Sequence, residues 1–221
     1  STTVIRAHGI PKEIYEMAKE KNITLKDYTC PNVLKIHKIA EKYASLGYYI
    51  LLFGSKKHPE NIGTISHCGD SFFVIENEEE LYNAIDAINH WHIKDVLVIS
   101  QTTFNIETFY TFQEILKDEL NKDIHLVINN TICRATQIRQ QETENIAQNV
   151  DCMIIIGGKN SSNTKKLFEI AEVNCATALC VETKEDIKHI NFSFFHTIGI
   201  MAGASTPQSS IQEICEMLEK Y

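Results

Sequence analysis

Hydroxyl and amide side chains crowd a turn that follows an apolar run. In IIIGGKNSSNTKKLF, residues 154–168, three isoleucines give way to two glycines, and Ser161, Ser162 and Asn163 stand before a helical pattern. A helix needs one such side chain as its N-cap, and capping is the alternative explanation for each residue taken singly. The turn has more hydroxyl and amide side chains than one N-cap requires, and this excess favours a site whose donors bind an anion such as phosphate. The turn matches neither the Walker pattern nor GxGxxG.

A second hydroxyl-rich turn, AGASTP at residues 202–207, also follows an apolar run and contains Ser205. Ser161, Asn163 and Ser205 all stand where helix N-caps are expected, so capping remains open for them. Two such turns at neighbouring strand ends would together offer backbone N–H groups and side-chain donors. We expect them to form a cradle for an anion such as phosphate.

A histidine and a carboxyl occur two residues apart in KKHPEN, where His58 and Glu60 flank a proline in a predicted loop. These are groups that donate and shuttle protons in acid–base catalysis. An exposed polar turn is the alternative interpretation of this stretch. His8 in AHG and Thr102 in SQTT also follow predicted strands, where a parallel sheet places its ligands.

The chain has seven cysteines without CxxC spacing, which argues against a disulfide framework and for a reducing compartment. Cys30 and Cys133 differ from the others because each follows a strand and opens a helix. A helix N-terminus favours the thiolate, the form that ligates metals. Most of the others are interpreted as small core residues. The spacing of these two cysteines alone identifies no metal site.

Apolar runs alternate with amphipathic stretches along the whole chain. Strands are predicted at 3–7, 48–54, 72–76, 95–100, 124–129, 152–157, 177–182 and 197–203. Helices are predicted at 11–21, 31–46, 79–88, 105–120, 134–148, 161–173 and 207–220. This alternation predicts an α/β protein with parallel sheets and right-handed crossovers. A weak division falls near residue 130, since each side of it forms a self-contained α/β set.

The net charge of −8 argues against nucleic acid or an anionic membrane surface as a partner. Hydrophobic residues make up 43% and charged residues 23% of the chain, as in ordinary globular proteins. No apolar run approaches the roughly 20 residues that span a bilayer. With the cysteine usage, we expect a cytoplasmic protein of bacterial type.

Seven stretches, in this order, resemble the LytB/IspH family of hydroxymethylbutenyl diphosphate reductases: AHGIPKEIYE, TCPNVLKIH, HPENIGT, SQTT, TICRATQIRQQE, GGKNSSNTKKL and AGASTPQSSIQE. The resemblance covers the whole chain, and GGKNSSNT together with AGAST is its most specific part. It implies parallel-sheet α/β modules arranged with pseudo-threefold symmetry around a central cavity. Residues 1–29 would be a remnant of the first module, 30–130 the second and 131–221 the third.

The implied reaction removes the allylic hydroxyl of 4-hydroxy-3-methylbut-2-enyl diphosphate reductively, giving isopentenyl and dimethylallyl diphosphate. The implied cofactor is a 4Fe-4S cluster held by three cysteines, and ferredoxin or flavodoxin would supply the electrons. By resemblance, Cys30 and Cys133 are two of those ligands. Glu60 would deliver a proton to the leaving hydroxyl, with Thr102 bonding it and His58 orienting the substrate. The diphosphate would be bound by His8, Ser161, Ser162, Asn163 and Ser205.

The family's first cysteine lies in a GFCAGV-like motif, which this sequence does not contain. We therefore expect an incomplete first module and a 221-residue chain that is inactive, or nearly so, by itself. An alternative function is a diphosphate-binding α/β module that has lost its cluster. The presence of Cys30, Cys133 and Glu60 favours the enzyme, because a binding module has no use for them.

Overall fold

The computed structural model describes residues 2–220 of the chain, which divides into two compact units at residues 1–132 and 133–221. Strands and helices alternate through both units, and every pairing between strands is parallel. The predicted parallel α/β class is confirmed. No helix in the described part is long and apolar enough to cross a membrane.

The first unit has two separate sheets. Its elements are β1 (Thr2–Ile5), α1 (Lys12–Glu20), β2 (Thr24–Asp27), α2 (Pro31–Ser45), β3 (Tyr49–Phe53), α3 (Pro59–Ile65), β4 (Phe72–Ile75), α4 (Glu78–His90), β5 (Asp95–Ser100), α5 (Ile106–Glu119) and β6 (His125–Ile128). Strands β1 and β2 form a pair, and the larger sheet has the order β4-β3-β5-β6. Strand β3 therefore lies in the interior, with β4 and β5 as its neighbours.

The core of the first unit covers both faces of the larger sheet. Ile50 and Leu52 of β3 pack in the cluster that contains Ile36 of α2. Leu51 and Phe53 point to the opposite face, where α4 and α5 pack. Because side chains alternate across a strand and both faces are buried, β3 reads as a continuous apolar run.

The second unit contains one sheet. Its elements are α6 (Arg134–Ala147), β7 (Cys152–Ile156), α7 (Ser162–Asn174), β8 (Ala178–Val181), two short 3₁₀ turns (Lys184–Asp186 and Phe192–Phe194), β9 (Ile198–Ala202) and α8 (Gln208–Leu218). The strand order is β8-β7-β9, so the wholly buried β7 lies in the middle. Ile156 pairs with Val181 on one side and Ala202 on the other, which aligns the carboxyl ends of the three strands.

All eight predicted strands are present, but strand β2, helix α3 and the two 3₁₀ turns were not predicted. Strand β2 has the sequence TLKD, three of whose four residues are exposed, so it lacks an apolar run. Helix α3 has only seven residues, too few to establish a helical period, and the prediction of a loop at HPEN was wrong. The segment that carries Glu60 is a helix, started by Pro59 in its first turn.

Candidate functional site

A buried carboxyl lies at the carboxyl end of the larger sheet in the first unit. Glu60 is only 2% exposed and sits in the first turn of α3, which follows β3. The Thr102 N–H donates to Glu60 Oε1 at 2.6 Å, and the Thr102 hydroxyl donates to Oε2 at 2.6 Å. Thr102 itself lies just beyond the end of the neighbouring strand β5. The sheet thus brings together two residues that are 42 positions apart.

Burial raises the pKa of the Glu60 carboxyl, whereas the two hydrogen bonds from Thr102 oppose that rise. A carboxyl that retains its proton closer to neutral pH is suited to general-acid catalysis. Glu60 is therefore unlike an ordinary solvated surface carboxyl. The alternative interpretation of this stretch as an exposed polar turn is wrong for Glu60.

Two histidine rings meet beside Glu60. His58 is the N-cap of α3, and its Nδ1 accepts the Glu60 N–H at 3.3 Å. That bond leaves the proton of the neutral ring on Nε2, which can donate outward. Burial, and then the charge of His8, lower the pKa of His58 to about 4. The His8 and His58 rings lie 5.5 Å apart in an edge-to-face arrangement.

The donor-rich turn of the second unit is only partly explained by helix capping. Ser161 is the N-cap of α7 and its Oγ accepts the Thr164 N–H at 3.4 Å. Ser162 and Asn163 lie inside the helix, so the expectation that Asn163 stands at an N-cap was wrong. Asn163 is 5% exposed, yet neither atom of its side-chain amide has a hydrogen-bond partner within residues 2–220. The buried Thr164 hydroxyl is unpartnered there as well.

The second hydroxyl-rich turn follows β9, directly beside β7, as expected. Ser205 is exposed in this turn and is not the N-cap of α8, because the helix starts after Pro207. The Thr206 hydroxyl donates to the Ile156 carbonyl at 2.9 Å and links the two turns. A Cβ at Gly203 would meet Thr164 Oγ1 at under 3.0 Å, so this position needs a glycine. The two turns form one polar cradle with buried, unused donors, as an anion site requires.

Cys30 and Cys133 occupy equivalent local positions. Cys30 is the N-cap of α2 in the first unit, and Cys133 is the N-cap of α6 in the second. Both are half-buried and neither is part of a disulfide. The Cys30 N–H donates to the Ala7 carbonyl at 3.0 Å, which ties this cysteine to the segment carrying His8. A thiol at a helix N-terminus is suited to metal ligation.

Three of the other cysteines, Cys68, Cys152 and Cys175, are less suited to hold a metal. Burial raises the pKa of the Cys68 thiol to about 12 and that of the Cys152 thiol to about 11, so both stay protonated. Cys175 is buried, and its sulfur bonds the Val150 carbonyl at 3.3 Å. Among residues 2–220, no group of three or more His, Cys, Asp or Glu side chains is placed to hold a metal ion. Cys30 and Cys133 are the two cysteines that stand at helix N-caps, one in each unit.

Three residues of these sites were missed by sequence reasoning: Asn61, Gln101 and Thr164. Asn61 and Gln101 adjoin Glu60 and Thr102 in the chain and hydrogen-bond each other at 2.9 Å. Their position next to the singled-out residues was the available signal. Their burial, which distinguishes them from ordinary polar loop residues, could not be read from the sequence.

Comparisons with known proteins agree in one family. The model of the LytB protein family matches residues 1–219. A 4-hydroxy-3-methylbut-2-enyl diphosphate reductase from Clostridioides difficile (strain 630) is 39% identical over 216 residues, covering 98% of this chain and 75% of that protein. One of the same name from a Nitratiruptor species is 38% identical over 221 residues, covering 100% of this chain and 76% of the relative.

Two solved structures resemble the chain. One is an (E)-4-hydroxy-3-methyl-but-2-enyl diphosphate reductase, described as the terminal enzyme of the non-mevalonate pathway. It is 34% identical to this chain, with a TM-score of 0.63, and the match covers 100% of this chain and 76% of the solved one. The other is the E-1-hydroxy-2-methyl-but-2-enyl-4-diphosphate reductase from Plasmodium falciparum, which is 29% identical with a TM-score of 0.89. This match covers 98% of this chain and 67% of the solved one. The chain spans about three quarters of the length of the Clostridioides difficile and Nitratiruptor relatives.

Proposed function

The chain belongs to the LytB protein family, and from that membership we propose that it acts in the last step of the non-mevalonate isoprenoid pathway. The reaction is the reductive dehydroxylation of 4-hydroxy-3-methylbut-2-enyl diphosphate to isopentenyl and dimethylallyl diphosphate. Two electrons and two protons are taken up, the allylic C–O bond breaks, and the oxygen leaves as water. The observation that carries the proposal is the buried Glu60 carboxyl held by Thr102.

Glu60 is proposed as the proton donor to the departing hydroxyl. Thr102 donates both short hydrogen bonds to this carboxyl, and when Oε2 carries a proton the bond to the Thr102 hydroxyl reverses, so the proton has a defined acceptor. Thr102 Oγ1 lies 2.6 Å from Glu60 Oε2, and this hydroxyl can take the carboxyl proton while giving its own to the substrate oxygen. A leaving water is a far better leaving group than hydroxide, and this assistance is worth about 10²–10⁴-fold in rate.

His58 is proposed to orient the substrate, and His8 is proposed to bind its diphosphate. The lowered pKa of His58, about 4, keeps its ring neutral at pH 7, with Nε2–H as the available donor. Burial also lowers the pKa of His8. A bound diphosphate would reverse this trend and favour a protonated His8, since a nearby anion stabilises the charged ring.

The cradle of the second unit is proposed to bind the diphosphate through Ser161, Ser162, Asn163 and Ser205. The unpartnered amide of Asn163 supports this role, because a buried donor without a partner costs about 1–3 kcal/mol unless a ligand satisfies it. The N-terminus of the 13-residue helix α7 adds backbone N–H groups and a favourable dipole for an anion.

Cys30 and Cys133 are proposed as two of the thiolate ligands of a 4Fe-4S cluster. When bound, the cluster supplies the two electrons, which it would receive from a ferredoxin or flavodoxin. We also propose the cytoplasm as the site of the reaction, because the seven cysteines are all thiols.

The test is turnover by the protein as its own gene encodes it, reconstituted anaerobically with iron and sulfide. Dithionite-reduced viologen supplies electrons, and the two isoprenoid diphosphates are quantified. Glu60→Gln is expected to lower kcat by at least ~10²-fold while substrate still binds. Glu79→Gln, which alters an exposed carboxyl of α4, is the matched control.

Equal turnover of Glu60→Gln and wild type would remove Glu60 from the proton path. Substrate binding without any turnover in the reconstituted wild type would instead favour the non-catalytic diphosphate-binding module. That alternative has no support from the relatives, which carry the reductase name.

A further inference from the structure

We propose that Asn61 is a positioning residue for Glu60: paired with Gln101, it ties the turn before α3 to the turn after β5 and so holds the Glu60 carboxyl against Thr102. This inference rests on the proposed role of Glu60 as proton donor. It assigns no contact with substrate to Asn61.

The side chain of Asn61 is fully buried and makes two donated hydrogen bonds. Its Nδ2 donates to the Ser55 carbonyl at 2.8 Å and to Gln101 Oε1 at 2.9 Å. The same Gln101 oxygen accepts the Ser55 N–H at 3.3 Å, and Gln101 Nε2 donates to Thr103 Oγ1 at 2.6 Å. These partners define which end of each amide is oxygen and which is nitrogen. The result is a continuous chain of bonds from one turn to the other.

This chain of bonds runs beside the Glu60–Thr102 contact. Asn61 follows Glu60, and Gln101 precedes Thr102, so adjacent residues of the same two turns are linked twice. Each link spans at least 40 positions of sequence, and neither can form unless β3 and β5 are neighbours. Since α3 has only seven residues, these cross-links rather than helix length must hold its first turn in place.

The backbone at the end of β3 is shaped to admit the pair. Gly54 has a φ of 152°, and a Cβ there would meet Asn61 Nδ2 and Gln101 Oε1 at under 3.0 Å. The two amides therefore pack across a position that only glycine leaves open. Asn61 Oδ1 has no hydrogen-bond partner among the described residues, although it is buried. An apolar residue would avoid that unsatisfied oxygen, so the value of Asn61 lies in the bonds donated by its nitrogen.

The removal of these bonds is expected to loosen Glu60 without unfolding the unit. Asn61→Leu keeps a similar volume and deletes both donors. The remaining contact with Thr102 then has to hold the turn alone, and the carboxyl becomes free to leave the pocket for water. Because burial is what raises the Glu60 pKa, such a loosened carboxyl would titrate like a solvated one.

The test is the amide signal of Thr102 in ¹H–¹⁵N spectra of the protein over a pH titration, without substrate. In the wild type, this N–H donates to the Glu60 carboxylate, so its chemical shift should change as Glu60 is protonated. The change that is absent from Glu60→Gln is the one caused by Glu60. Asn61→Leu is expected to abolish the movement. Thr64→Val is the matched control, because it removes another buried hydrogen bond of α3, to the Glu60 carbonyl, and should preserve the movement.

An undiminished Thr102 movement in Asn61→Leu would overturn the proposal, as would an equal loss in Thr64→Val. If Asn61→Leu fails to fold, Gln101→Met removes the same acceptor from the opposite turn and must give the same loss. The readout does not depend on turnover. An inactive wild type with an intact Thr102 response would refute the proposed function alone, and an active wild type with an unaffected Asn61→Leu would refute only the positioning role.

Discussion

The buried His37 and the half-buried His67, which stack on each other, should make the protein sensitive to mild acid. His37 of α2 and His67, which follows α3, stack with ring centroids 4.4 Å apart and planes 18° from parallel. His37 Nε2 and both ring nitrogens of His67 are buried without hydrogen-bond partners within residues 2–220. His37 packs beneath the segment with His8, since a Cβ at Gly9 would lie 3.2 Å from its Cε1. A proton added to one of these nitrogens would have no hydrogen-bond acceptor among the described residues.

The direction of the effect follows from the pKa values. Burial first, and then the neighbouring His67, lower the pKa of His37 from 6.5 to about 4, while Asp27 and Glu41 act in the opposite direction. The folded state therefore disfavours the proton. This stabilising contribution is complete above the unfolded pKa of 6.5 and is lost as the pH falls toward 4. The full shift corresponds to about 3 kcal/mol, and we expect about half of that because water partly screens the pair.

The assay is the free energy of unfolding, measured by urea denaturation between pH 7 and pH 4.5 for wild type and His37→Leu. The wild type should lose about 1–2 kcal/mol more than the variant over this range. His189→Leu, at an exposed position, serves as the control. Wild type and variant share Glu60 and His58, so the contributions of these two groups to the pH dependence of stability cancel in the comparison. The raised pKa of Glu60 makes the protein more stable as the pH falls, and the lowered pKa of His58 makes it less stable. Identical pH slopes for wild type and His37→Leu would refute the reasoning.

Two further predictions concern the cradle and the helices. Gly203→Ala should weaken binding of inorganic pyrophosphate by about tenfold, because its Cβ would crowd the buried Thr164 hydroxyl. The affinities are measured by calorimetric titration, with Gly158→Ala as the matched control because its Cβ would meet nothing closer than 3.7 Å. Equal affinities of the two variants would contradict the crowding argument. Asn105→Ala should lower the free energy of unfolding by ~1 kcal/mol in urea denaturation, since Asn105 Oδ1 caps α5 by accepting the Thr108 N–H at 2.8 Å. A loss below the error of the measurement would show that this cap is dispensable.

The fold was largely predictable because the central strands β3, β5 and β7 are buried on both faces. Runs such as YILLF and CMIII are apolar at every position, and the structure buries nearly all of their residues. Strand β2 escaped prediction for the converse reason, since an exposed edge requires no apolar pattern. Helix α3 escaped because seven residues show too little periodicity.

The sequence by itself determined the order of strands and helices, the polar residues that stand at strand ends, and membership of the LytB family. These features depend on the residues of each segment and not on where the segment lies in the fold. Only the tertiary structure decided that β3 lies beside β5 and β7 beside β9, and therefore that Glu60 meets Thr102 and that the two hydroxyl-rich turns meet. It also decided that Glu60 and Asn61 are buried. Strand order and burial arise from contacts between distant segments, whose energies no local pattern records.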